Sequence, residues 1–141
     1  MISDTKINIA DNNLKNFDIA IMNHNKRNNI FDEAETLKAK NFKDNFDVIK
    51  EIDEQINRYK LEGYPSNRKL LLSSGILLRK HNSPQVIRVM ELWWKEILKS
   101  SQRDMLSLPY VLWILKNKNV AISLNILDFK KTYESFMNRK K

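Results

Sequence analysis

The chain has 141 residues, 42% hydrophobic and 30% charged, with no cysteine and a formal charge of +8 from 25 basic and 17 acidic side chains. That length and composition suit one globular domain with a single core, and the missing cysteines exclude disulfides, thiolate metal sites and cysteine nucleophiles. No apolar run approaches the roughly 20 residues of a membrane span, and the polar opening MISDTKINIADNN lacks the apolar stretch of a signal peptide, so a cytoplasmic setting is expected.

A basic balance attracts phosphate, whether in a nucleotide, a nucleic acid or an anionic surface. The cations are spread along the chain, with a local excess at Arg139-Lys140-Lys141. Solvated faces account for such a spread more readily than an anion site does.

In chain order, residues 1–9 alternate weakly and read as a strand, and Asp11-Asn12-Asn13 reads as a turn. Residues 17–22, FDIAIM, form a buried strand that runs out into the polar loop 23–29, which carries His24, Lys26 and Arg27. A helix is expected over 31–39, with Asp32, Glu33 and Glu35 in its first turns, where the helix dipole favours negative charge. Asp44 or Asn45 caps a longer helix to about residue 62, in which Val48, Ile52, Ile56 and Tyr59 share a face. Gly63 supplies its C′ position and Pro65 stops it.

The stretch 70–104 organises the rest. Leu70-Leu71-Leu72 and Ile76-Leu77-Leu78 read as one buried strand interrupted by Ser73-Ser74-Gly75. The glycine there predicts a bulge, or a close approach of backbone or ligand. The strand leaves the core through Arg79, Lys80, His81 and Asn82. Ser83 then caps a helix to residue 99, with Pro84 at its first position and Val86, Met90, Trp93 and Ile97 on one face. Arg103-Asp104 follows. A helix over 106–115 has Pro109 in its first turn. A turn at Asn117-Lys118-Asn119, a strand over 120–124 and an amphipathic helix over 127–139, with Phe129, Tyr133 and Phe136, complete the chain. The fold class is mixed α and β, with about four short strands and four or five helices.

Several signatures are absent. Two glycines cannot make a Gly-rich phosphate loop, His24 and His81 belong to no local metal pattern, and no serine sits in a nucleophile elbow. What remains is a set of polar groups that follow strands: His24 and Arg27 after one, Arg79 and His81 after another. Ligands of α/β folds gather outside the carboxyl ends of strands, and the planar fork of arginine suits a diphosphate. Each residue also has a plain structural reading. Either histidine can be a half-buried surface group, Glu33 and Glu35 can be dipole partners, and Trp93 and Trp94 can be packing. Asp104 can be a helix N-cap.

Together the blocks IMNHNKRNNIFDEAETLKAK, NRYKLEGYP, SSGILLRKHN, VMELWWKEI and SSQRDMLSL, in that order over roughly residues 4–115, resemble a glycosyltransferase-like family. That family includes plant proteins of mucilage polysaccharide synthesis and turgor control, with bacterial relatives in polysaccharide loci. The resemblance implies a GT-A-like nucleotide-sugar transferase fold. It sets His24, Arg27, Glu33 and Glu35 against the family's H-x-x-R and E-A-E block, and Arg79 against the arginine that ends its central strand. Trp93 answers to its helix tryptophan, and Arg103-Asp104 to the start of an R-D-Q-L-S pattern. Asp4 is set against the aspartate after the family's first acidic strand, the position through which a divalent metal, Mn or Mg, would enter.

Three positions depart from the family pattern. Met105 replaces its glutamine, Ser73 stands where a carboxylate is usual, and no Asp-x-Asp pair surrounds Asp4. The expectation is a C-terminal, acceptor-side portion of such a transferase, lacking the nucleotide-binding half and completed by an N-terminal partner chain. In that reading the partners are a nucleotide-sugar donor and a glycan acceptor. Arg27, Arg79, His81 and Arg103 bind substrate beside Trp93 and Glu35; His24 assists the leaving group, and Asp104 or Glu33 handles the acceptor hydroxyl. The alternative is a non-catalytic basic module for glycan or nucleic acid. The interleaved aromatics of an RNA-binding sheet are not visible, which disfavours nucleic acid.

Overall fold

The computed structural model describes residues 14–41 and 46–138, arranged as three strands and five helices among those residues. The expected strand over 1–9, its following turn and the Asp44/Asn45 cap lie outside them. Strand β1 (Ile19–Asn23) is the middle of the sheet, flanked by β2 (Leu72–Arg79) and β3 (Leu124–Leu127) in the order β2-β1-β3. Ile19 to Met22 are all buried, because both faces of β1 are covered, which explains the continuous apolar run. The resemblance had set β2 against the family's central strand. Here β2 is an edge strand.

β1 runs antiparallel to β2 and parallel to β3. Between Ile21↔Leu77 and Met22↔Ser73, one step along β1 is matched by four along β2, so Ser74-Gly75-Ile76 bulges out as Gly75 had predicted. A Cβ built on Gly75 would meet only Met22 Cε at 3.5 Å and Ser73 Oγ at 3.8 Å, ordinary contacts, so no protein atom demands a glycine there. Gly75→Ala should therefore leave stability within about 0.5 kcal/mol of wild type in a urea titration. A loss of about 2 kcal/mol or more would contradict this account of the bulge.

Helix α1 (Ile30–Asn41) starts on Asn29, whose Oδ1 accepts the Asp32 N–H at 2.8 Å. Helix α2 (Phe46–Leu61) ends as expected at Gly63, with φ +96°. The Tyr64 N–H donates to Tyr59 O at 3.0 Å and the Gly63 N–H to Lys60 O at 3.1 Å, a Schellman closure that needs the left-handed residue. Helix α3 (Pro84–Lys99) has Ser83 at its N-cap position, but that hydroxyl bonds Gln85 Oε1 at 2.9 Å in place of the backbone. Its buried stripe is Val86, Val89, Trp93 and Glu96, turned slightly from the expected face, with Met90 and Ile97 at its margins.

Helix α4 (Asp104–Asn117) begins two residues earlier than expected, which moves Pro109 into the second turn. Leu106 to Leu112 are buried, and α4 packs on α1, α3 and β2, making it the helical centre of the core. The final strand starts where the sequence reading ended it. The Val120 N–H closes a turn onto Leu115 O at 2.8 Å, and Val120 and Ile122 cover the core as extended lead-in. Pairing begins only where Asp18 grips Ser123, through Asp18 N–H to Ser123 O at 2.9 Å and Ser123 N–H to Asp18 Oδ2 at 3.0 Å. Helix α5 (Phe129–Asn138) is the last element of the described residues, its first N–H held by Asn23 Oδ1 at 2.9 Å.

Candidate functional site

The loop that leaves β1 turns back over its own histidine. His24 Nδ1 accepts the backbone N–H groups of Lys26 and Arg27, each at 3.1 Å. With Nδ1 occupied as an acceptor, the ring proton of neutral His24 belongs on Nε2. Nε2 faces Glu33 Oε2 at 3.5 Å, and Arg27 Nε donates to the same oxygen at 2.5 Å. Glu33 is 1% exposed. It is thus more than a dipole partner in the first turn of α1: its buried carboxylate braces a cation and an imidazole at the surface. Together His24, Arg27 and Glu33 form the first half of the candidate site.

These side chains open onto a small cleft of about 180 Å³, lined by Asn23, His24, Arg27, Asn28, Ile126 and residues 69–72. Lys69 also lines a neighbouring cleft of about 460 Å³ with Asn29, Phe31, Asp32, Lys60 and residues 66–68. Lys69, Lys60 and Arg68 were not among the residues singled out in the sequence. Arg68 and Lys69 lie in a loop without periodicity and Lys60 in the last turn of α2; only folding gathers the three on one cleft and sets Lys69 on that of Arg27 as well.

The second half is the bulge of β2. Ser74 Oγ donates to Asp104 Oδ2 at 2.5 Å, tying the first residue of α4 to the sheet. Since Met22 pairs with Ser73 and the His24 N–H donates to Leu71 O at 2.9 Å, this carboxylate is held at the His24 end of the sheet. Asp104 is therefore not the cap of α4; Arg103 holds that position, and no side chain caps the helix.

The remaining residues are placed elsewhere. Because β1 and β2 are antiparallel, Arg79 pairs with Ile19, and Arg79 and His81 emerge at the opposite end of the sheet. At about 3.3 Å per residue that is roughly 16 Å from His24, so Arg27 and Arg79 do not face one diphosphate. Trp93 lies in the core and donates Nε1–H to buried Ser107 Oγ at 3.0 Å, so packing is its role here. Glu35 is an exposed partner of Lys38 at 2.7 Å, and Lys38 also reaches Asp53 on α2 at 2.7 Å. Arg103 has its Nε buried without a hydrogen-bond partner. Asp4 lies outside the described residues, among which no three His, Cys, Asp or Glu side chains form a group able to hold a metal.

Burial lowers the pKa of His24 below its usual 6.5; Glu33 pulls upward, while Arg27, Lys40 and Lys26 push down. A histidine that binds its proton less readily when folded contributes stability that is complete above the unfolded value and lost as pH falls through the folded one. The protein should thus lose stability on acidification just below pH 6.5. In His24→Asn, which keeps an acceptor for the two N–H groups, that component should vanish from urea midpoints measured across the window. An unchanged slope would remove His24 as its source.

A second polar cluster went unnoticed in the sequence. Glu96, on the buried stripe of α3, accepts from Tyr59 Oη at 2.9 Å, from Ser100 Oγ at 3.0 Å and from Arg58 Nη2. Arg58 Nη2 also reaches Ser100 Oγ at 2.8 Å, and Gln55 Nε2 donates to Tyr59 Oη at 2.7 Å. Tyr59 stacks on Tyr110 with centroids 3.9 Å apart, under the Arg58 guanidinium. Burial first, together with the neighbouring carboxylates, raises the pKa of Tyr59 and Tyr110. The signal was available: a carboxylate at the spacing of Val86, Val89 and Trp93 must find buried donors.

With this geometry in hand, the class is a glycosyltransferase-like domain on a mixed α/β fold. Residues 10–141 match the family described as TOD1/MUCI70, glycosyltransferase-like domain, and the chain belongs to that family. No curated protein and no solved structure matches it. No helix among the described residues is long and apolar enough to cross a membrane.

Proposed function

We propose that the groove at the carboxyl end of β1 receives the diphosphate of a nucleotide-sugar donor, from which a GT-A-like domain transfers the sugar to a glycan hydroxyl. The observation that carries this reading is the Glu33-braced pair, Arg27 and His24, opening onto a cleft shared with Lys69. Arg27 is anchored through Nε, which aims a planar fork suited to phosphate oxygens, and Lys69 adds a second cation. Phe31 and Asp32 in the adjoining cleft suit the nucleoside, as a ring face and a hydroxyl acceptor.

In the transfer step the acceptor oxygen bonds the anomeric carbon as the carbon–oxygen bond to the diphosphate breaks. The acceptor proton passes to Asp104, whose position Ser74 fixes. The departing nucleoside diphosphate carries the electron pair, and Arg27 and Lys69 stabilise its charge, while His24, its Nε2–H facing Glu33, holds the loop that presents Arg27. A divalent metal, Mn or Mg, belongs to this proposal only through Asp4.

Calorimetric titration tests the reading. Uridine and guanosine diphosphates should bind, the bare nucleosides more weakly, and Lys69→Ala should lower the diphosphate affinity about ten-fold, close to 1.4 kcal/mol. Equal affinities for diphosphates and nucleosides would sink it.

A further inference from the structure

Helix α3 is apolar on two opposite faces. Its buried stripe, Val86, Val89, Trp93 and Glu96, is turned to the core, where the helix packs on α4. On the other side Ile87 is 44% exposed, Trp94 61% and Leu98 60%. With the exposed Glu91 these three are spaced four, three and four, the a/d rhythm of a coiled-coil seam. Three large apolar side chains on one helix face exceed the scattered single residues of an ordinary surface. We propose that this face pairs with the same face of a second copy of the chain, as two antiparallel α3 helices related by a two-fold axis. The pairing goes beyond the donor groove and uses none of its residues.

Symmetry picks the occupant. The seam positions are disposed evenly about the point between Leu92 and Trp93, with Glu91 and Trp94 at one distance and Ile87 and Leu98 at another. Turning the helix over about that point sets Ile87 of each copy against Leu98 of the other, and Glu91 against Trp94. A patch that complements itself in this way is what an isologous dimer requires. Parallel pairing would instead set Glu91 against Glu91.

Charge selects the same register. Arg88, Lys95 and Lys99 follow one another at intervals of seven and four, so they line one edge of the seam. On that edge Leu98 and Lys99 share a cleft of about 460 Å³ with Glu51, Glu54 and Arg58 of α2. Arg58 is held by Glu96, which leaves Lys99 facing two carboxylates. In the antiparallel pair, Arg88 of one copy arrives beside Leu98 of the other, at the mouth of this acidic cleft, and Lys95 arrives beside Glu91. Among the described residues, none of Arg88, Lys95, Glu51, Glu54 and Glu91 has an ion pair within its own chain. Area sets the strength. A helix of 16 residues is about 24 Å long. Two such faces bury less than the roughly 1,200 Å² of a stable complex, so the dimer is weak and reversible.

Sedimentation equilibrium of the full chain at low salt, from micromolar to millimolar concentration, tests the pairing. The mass should rise from one chain toward two and stop there. Trp94→Glu, which sets a carboxylate against Glu91 of the other copy, should weaken association about ten-fold or more. Arg88→Glu alone should do the same, and so should the double variant Glu51→Arg with Glu54→Arg. An equimolar mixture of those last two proteins should associate, because both cleft contacts of the mixed dimer then join opposite charges. All the substituted side chains are exposed, so circular dichroism should show each variant folded. Arg27→Ala should associate like the wild type. A chain that stays monomeric throughout overturns the proposal. So does growth past two copies, association indifferent to Trp94→Glu, or a mixture no more associated than its components.

Discussion

Arg58→Ala should destabilise the protein by about 3 kcal/mol, the largest single effect expected here outside the apolar core. The reason is what it leaves behind. Glu96 is 6% exposed, and without Arg58 its charge keeps only the hydroxyls of Tyr59 and Ser100. Breaking a buried pair by removing one partner costs about 3–5 kcal/mol, and the lower end applies because the Arg58 side chain is 26% exposed. The double variant Arg58→Ala with Glu96→Gln should recover part of the loss, since a neutral amide can stay buried on the same hydroxyls. Urea unfolding of the four proteins in the cycle measures this. A loss below about 1 kcal/mol for Arg58→Ala would place the pair with ordinary surface ion pairs and contradict the account.

The second large effect is Arg27→Ala, which acts on stability and binding together. Glu33 would be left buried with only the His24 Nε2–H at 3.5 Å, and a loss of about 2–3 kcal/mol is expected. The pKa of His24 should rise in this variant, because Arg27 pushes it down and Glu33 would be left without its guanidinium partner. Nucleoside diphosphate affinity should fall about ten-fold or more. Arg27→Lys keeps the charge without the planar fork, so it should fall between the two. A His24 titration that does not move in Arg27→Ala would mean that the cluster is not coupled as described.

The helices were legible because their signals are local. Pro84 and Gly63 mark boundaries within a residue or two of those observed, and the spacing of Ile52, Ile56 and Tyr59 gives the buried face of α2. The bulge was legible from Gly75 alone. Strand direction was not, since nothing within FDIAIM or LLLSSGILLR says that the two lie antiparallel. That single non-local fact separates Arg79 and His81 from His24 and Arg27. The first half of the site was present in the spacing of His24, Arg27 and Glu33, but the depth of Glu33 depends on packing around α1. Lys69 could not be found at all, because its place beside Arg27 comes from β2 returning along β1. Glu96 could have been found, being an acidic residue on an apolar stripe.

The central claim is that the anion-binding groove lies at the carboxyl end of β1. Mapping uridine diphosphate onto the full chain by backbone amide NMR tests it most directly. Shifts concentrated in residues 23–28 and 69–72, and absent in Arg27→Ala, are the expected result. Shifts centred on residues 79–82 at the other end of the sheet, or none at saturating ligand, would contradict it.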